Sequence, residues 1–157
     1  MAGDMDRWAK AILDNLQHEG RMSNVELAET IGLSESPTLR RVKQLESDGV
    51  IRGYSARVDQ RQLGFEVTAY VLVIMEKQPD TQTERFHEAV QQEPHIIECH
   101  AMSGSHDYLM KVVARNMDHF ADLCMKRILK FPGVQHIESN FSLSTIKDAW
   151  ALPTGEV

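Results

Sequence analysis

The sequence predicts an α+β chain made of an N-terminal helix-turn-helix domain followed by a C-terminal ferredoxin-like βαββαβ domain. Three observations carry this expectation. Apolar residues recur at helical spacing through the first fifty positions, β-rich runs begin at Ile51, and the later segments alternate in the order strand, helix, strand, strand, helix, strand. With 157 residues, 42% of them hydrophobic, the chain has the apolar content for packed cores and does not read as disordered. The expected division is 1–50 for the helical domain, 51–61 for a linker strand and 62–157 for the second domain.

In the first helix Trp8, Ile12, Leu13 and Leu16 share a stripe ahead of Gly20, a helix-ending residue. Ser23 and Glu26 have capping-box spacing, in which hydroxyl and carboxylate each satisfy an orphan amide, and Leu27, Ala28 and Ile31 follow before Gly32 closes a short second helix. The third helix begins near Ser34 or Ser36, tolerates Pro37 in its first turn and stops at Gly49. Leu39, Val42 and Leu45 are expected to pack inward.

Beyond the linker strand at 51–58, Phe65 to Glu76 reads as a strand, Thr83 to Gln92 as a helix carrying Phe86 and Val90, and His95 to Ser103 with Tyr108 to Arg115 as strands flanking a Gly104-Ser105-His106-Asp107 hairpin loop. A helix striped by Phe120, Leu123, Cys124 and Ile128 follows, then a last strand from Val134 to about Thr145. Val67, Ala69, Val71 and Val73 point to one face of the first strand, and Tyr70, Leu72 and Ile74 to the other. Two helices cover one face, so a second copy of the same sheet is the expected cover for the other.

Net charge is −6, from 17 basic and 23 acidic residues, so no chain-wide cationic field draws the protein to polyanions. Contact with duplex DNA has to come from a local patch. The third helix offers one: Ser36, Arg40, Arg41, Lys43 and Gln44 are expected on its outward side. Guanidinium groups match guanine edges or phosphates, glutamine pairs with adenine, and lysine supplies a point charge. The same cations also fit the solvated face of an ordinary amphipathic helix. In the hairpin, Gly104 permits a turn that a Cβ would obstruct, and Asp107 can accept from an ammonium group or from loop amides; as a plain alternative, Asp107 caps the hairpin and Tyr108 packs.

The stretch SNVELAETIGLSESPTLRRVKQLESDGVIRGYSARVD (23–59) resembles the helix-turn-helix and linker of the Lrp/AsnC, or feast/famine, transcription regulators. MSGSHDYLMKV (102–112) resembles the Gly-x-x-Asp-Tyr hairpin of their amino-acid-sensing domain. The resemblance spans about Met5 to Pro153 and implies a sequence-specific, DNA-binding regulator that responds to a small effector, commonly an amino acid, bound between dimers. It also implies homodimers assembling further, commonly to octamers. By position, Gly104, Asp107 and Tyr108 would line or shape the effector site, with Asn140 and Ser142 on the last strand as further members. Thr38 stands where relatives commonly have cysteine, Ala9 where they have an acidic residue, and Ser105 and His106 where acidic or aromatic residues are frequent.

Two other classes fit parts of the sequence: a small dimeric ferredoxin-like enzyme using His100, His106 and Asp107 as acid and base, and an amino-acid-binding module without DNA function. No nucleophile-elbow, phosphate-loop or dinucleotide signature supports the enzyme, which is therefore not expected, and no cofactor is. No metal site is expected either, since adjacent strand residues Cys99 and His100 point to opposite faces and no Cys-x-x-Cys or His-x-x-x-His pair occurs. Cys99 and Cys124 read as small buried hydrophobes. Without a leader or a long apolar run, the expected setting is the cytoplasm, with no membrane partner.

Overall fold

The computed structural model describes residues 5–76 and 80–155, which fall into two compact units. The first contains three helices, α1 (Arg7–His18), α2 (Asn24–Ile31) and α3 (Glu35–Ser47). Their starts are fixed by side chains. Asp6 accepts from the Ala9 amide at 2.8 Å to cap α1, and Ser23 and Glu26 form the reciprocal capping box of α2. Gly32, at φ +70°, ends α2 in the left-handed conformation, and the Leu33 amide returns to the Ala28 carbonyl at 3.0 Å. That closure makes the tight turn into α3, and the Asn24 side chain donates across it to the Glu35 carbonyl at 3.1 Å. Ile12, Leu27, Ile31 and Leu45 form the core, with Trp8, Leu16, Val42 and Ile51 packed around it.

The second unit is a four-stranded antiparallel sheet, β1 (Val67–Met75), β2 (Ile96–Ala101), β3 (Tyr108–Ala114) and β4 (Val134–Phe141), in the order β2-β3-β1-β4. Between the strands lie α4 (Asp80–Gln92) and α5 (Met117–Lys126), the latter tightening into a 3-10 turn at Ile128–Lys130 before Pro132. Chain order and strand order together are the ferredoxin-like arrangement. Ala69, Val71, Val73, Met110 and Val112 on one face of the sheet pack against Phe86, Phe120, Leu123 and Ile128 from the helical segments. The opposite face carries Tyr70, Leu72, Ile74 and Leu109, half-buried or exposed. Both apolar faces expected from the alternation are therefore present.

Three expectations are corrected. Residues 51–58 pair with no strand among the described residues, so the linker strand is not formed there; an extended segment needs a neighbouring edge to become a ladder. The last strand ends at Phe141, short of Thr145. The segment from Lys147 onward does not belong with the sheet: it groups with the helices. Gln17 clamps it there, accepting from the Leu152 amide at 2.6 Å and donating to the Leu152 carbonyl at 3.0 Å, while Arg57 holds the Asp148 carboxylate at 3.0 Å.

Candidate nucleic-acid interface and effector hairpin

Helix geometry decides which α3 side chains face out. At about 100° per residue, Thr38 lies about 20° from the core residue Leu45, Arg41 about 40° and Val42 about 60°, whereas Leu39 lies about 120° away. The structure follows these angles. Thr38 is fully buried, its hydroxyl donating to the Ser34 carbonyl at 3.0 Å. Leu39 is 43% exposed, which corrects its expected place in the core; an i, i+3, i+6 series drifts about 60° per step and leaves the buried stripe. Ser36, Leu39, Arg40, Lys43, Gln44 and Ser47 line one shallow open surface.

Arg41 departs from the expected outward set. It is half-buried, and its Nη1 donates to Asp6 Oδ2 at 2.7 Å, tying α3 to the start of α1. The Ala9 amide and the Arg41 guanidinium together hold the Asp6 carboxyl below its ordinary value. Gln44 is exposed but engages Asp48 Oδ1, at the C-cap of its helix, at 2.7 Å. Arg40 and Lys43 are therefore the exposed cations of this surface. Ser47 and the Asp6 partner of Arg41 were not singled out in the sequence, and Leu39 was placed inward although the angular arithmetic would have exposed it.

In the second unit Gly104 sits at φ +141°, a conformation that side chains with a Cβ rarely adopt. Asp107 is woven into the sheet end: its amide donates to the Val73 carbonyl at 2.8 Å, its carbonyl accepts from Met102 at 2.8 Å, and its Oδ2 accepts from the Met75 amide at 2.7 Å. The carboxylate thus caps the end of β1, while the Asp107 backbone closes the hairpin. Tyr108 stacks on Phe86 with ring centroids 4.6 Å apart, and His87 Nε2 lies 2.9 Å from its hydroxyl. Burial, reinforced by the neighbouring Cys99 and Asp107, pushes the phenol above its ordinary range. Tyr108, His87, Val90, Ile96, Cys99 and Ala101 line an open groove between α4 and the edge strand β2, a feature the sequence did not reveal because it depends on long-range packing.

Asn140 and Ser142 are not brought to this hairpin within one chain. Tyr108 lies opposite Val73, Asn140 lies opposite Tyr70, and the Ser142 amide bonds Thr68. Along β1 that separates the two positions from the hairpin by about 10 and 17 Å.

The acid and base groups of the enzyme reading do not converge either. His100 lies 3.4 Å from Glu98, His106 lies 3.7 Å from Glu138, and Asp107 serves the Met75 amide. Burial raises the thiols of Cys99 and Cys124, the opposite of nucleophile activation. Among the described residues no group of three His, Cys, Asp or Glu side chains could hold a metal ion, and no helix is long and apolar enough to cross a membrane.

A tight helix-turn-helix with an exposed cationic stripe, joined to a ferredoxin-like domain with a glycine hairpin, defines a transcriptional regulator with a separate ligand-binding domain. The winged helix-turn-helix DNA-binding family matches residues 5–52, and the Lrp/AsnC ligand-binding domain family matches residues 68–152. The chain is 36% identical over 146 residues to the leucine-responsive regulatory protein of Escherichia coli K12, covering 93% of this chain and 89% of that one. It is 33% identical over 153 residues to the transcriptional regulator AzlB of Bacillus subtilis, covering 98% of each. Among solved structures, a transcriptional regulator of Neisseria meningitidis in complex with L-Met superposes with a TM-score of 0.92 at 36% identity, covering 95% of this chain and 96% of that chain. The chain belongs to the Lrp/AsnC family of transcriptional regulators.

Proposed function

We propose that this regulator reads duplex DNA through Ser36, Arg40, Lys43 and Gln44, and that an amino acid bound at the Gly104–Tyr108 hairpin shifts its assembly or its DNA affinity. The observation that carries the effector class is the Neisseria relative, a similar chain that was solved with L-Met; the relative named leucine-responsive points to the same chemistry. An amino acid needs partners for both charged ends. The hairpin offers the Asp107 carboxylate and backbone amides, and the groove beside Tyr108 offers apolar walls for a side chain. Arg41, tied to Asp6, serves to orient α3.

Asn140 and Ser142 join such a site only from another copy of the chain, in keeping with binding between dimers. The apolar sheet face favours a homodimer, and assembly beyond it, with an octamer as the family-based expectation, follows the same reading. A cytoplasmic, non-enzymatic role fits a regulator of this family, with no cofactor assigned. Coupling of effector to DNA requires different effector affinities in two assembly states, and about 1 to 3 kcal/mol suffices.

Calorimetry of the full chain against L-methionine, L-leucine and the other protein amino acids tests the proposal. We expect saturable heat with at least one of them, and a shift in DNA affinity at the same concentration. No saturable heat across the whole panel overturns amino-acid sensing and leaves DNA binding standing.

A further inference from the structure

The outward surface of α3 contains one side chain that cannot make a hydrogen bond. Leu39 is 43% exposed between Ser36 and Lys43, while the polar Thr38 beside it is fully buried. An isolated exposed leucine on a protein surface is ordinary. This one stands on the cationic stripe of the helix that follows the tight turn, in the N-terminal half of that helix, the part that reaches base edges when such a helix enters the major groove. Arg40 and Lys43 attract phosphates of any sequence and Arg40 can also fork onto guanine. Leu39 can contribute only by removing apolar surface from water. The one apolar group displayed along the major groove is the 5-methyl of thymine.

We propose that Leu39 is a specificity-determining residue that reads thymine by packing on its 5-methyl group. The proposal rests on the DNA-reading function above and adds to it a stated base preference. Because the contact is apolar, a cytosine at that position offers no methyl and exposes an unmatched amino group toward the leucine, so the preference carries a penalty as well as a gain. Burial of a single methyl corresponds to a loss of about three- to fivefold in affinity when it is removed.

The test uses duplexes enriched by the full chain from a random-sequence pool. The tightest duplex is resynthesised with deoxyuridine replacing each thymine in turn, which deletes the methyl and keeps the base pair. We expect one thymine per half-site whose replacement weakens wild-type binding about three- to fivefold, and we expect Leu39→Ala to bind both duplexes equally. Leu39 is exposed, so the variant keeps its fold, which a circular-dichroism melt verifies. If the wild type tolerates deoxyuridine at every thymine, or if Leu39→Ala retains the same loss, the thymine contact is refuted; the second outcome assigns the effect to DNA deformability. If no duplex is enriched over random sequence, both this contact and sequence-specific DNA reading fall.

Discussion

Leu39 and Arg41 show how little separates an inward from an outward residue on a short helix. Arg41 lies about 40° from the core residue Leu45 and Leu39 about 120°, and their chemical types suggest the reverse of where they sit. Angular position wins because helix packing fixes the axis and each side chain follows its own Cα–Cβ direction. Alanine substitution separates the two classes. Leu39→Ala should change stability by no more than about 0.5 kcal/mol, whereas Leu27→Ala, at a position 1% exposed, should cost about 2 to 5 kcal/mol. Thermal melts of the two variants measure this directly, and an equal loss would place Leu39 back in the core. For DNA, Arg40→Ala should weaken specific binding by about 1 to 3 kcal/mol with folding intact if the guanidinium reads a base. Arg41→Ala should weaken it less, through loss of the tie to Asp6, and a titration of both variants on one duplex ranks them. The cationic face was legible from residue types alone. The Asp6 partner was not, because a pair separated by 35 positions depends on how α1 and α3 cross.

At the level of elements, local signals and the ferredoxin-like arrangement of the sheet were legible, whereas particular contacts across the fold were not. The capping box at Ser23 and the left-handed Gly32 are properties of a few consecutive residues, so spacing reveals them. The linker at 51–58 has strand-like composition but no partner edge among the described residues, and composition alone cannot supply one. Asp107 was legible as a hairpin residue, yet its bond to Met75 depends on β1 lying beside β3. That bond predicts the behaviour of Asp107→Ala: lower stability of the ligand-binding domain, by about 0.5 to 1.5 kcal/mol for the loss of an exposed hydrogen bond to the Met75 amide, in addition to any effect on an effector. Asp107→Asn should restore much of the stability by keeping a carbonyl acceptor. Denaturant melts of the two variants decide, and identical losses would mean that the oxygen does not serve the Met75 amide.

A second element-scale prediction concerns acid. Glu93 is buried at the end of α4, where burial alone would raise its carboxyl. Hydrogen bonds from His95, at 2.7 Å, and from Arg127, also at 2.7 Å, prevail and hold it below the ordinary value. A carboxyl whose folded pKa lies below its unfolded value contributes stability that is complete above the unfolded value of about 4.5 and disappears as pH falls through the folded one. Stability of the wild type should therefore decline below about pH 4.5 more steeply than that of Glu93→Gln. Urea melts between pH 3 and pH 7 measure the difference, and parallel curves would show that the His95–Glu93–Arg127 cluster is not linked to acid stability.

Across the whole molecule the sheet leaves an imbalance that the chain itself does not resolve. One face is sealed by α4 and α5, while the other presents Tyr70, Leu72, Ile74 and Leu109, rimmed by the Lys111–Glu98 pair at 3.2 Å and by His106 near Glu138. Contiguous apolar surface of this kind is costly in water, and a two-fold interface is the simplest cover because one patch serves as both partners. At such an interface each substitution is counted twice. Across such an interface Leu72→Glu would bring two carboxylates together, with no cation in reach of either on its own strand, and desolvating them would oppose association strongly. In the isolated chain the same glutamate points to solvent from β1 and leaves the Val71 and Val73 side of the strand untouched. Sedimentation at micromolar concentration should therefore give a dimer or larger species for the wild type and a monomer for Leu72→Glu, with both showing the same far-ultraviolet circular dichroism. A Leu72→Glu protein that sediments like the wild type would place the interface elsewhere and leave this face to another partner.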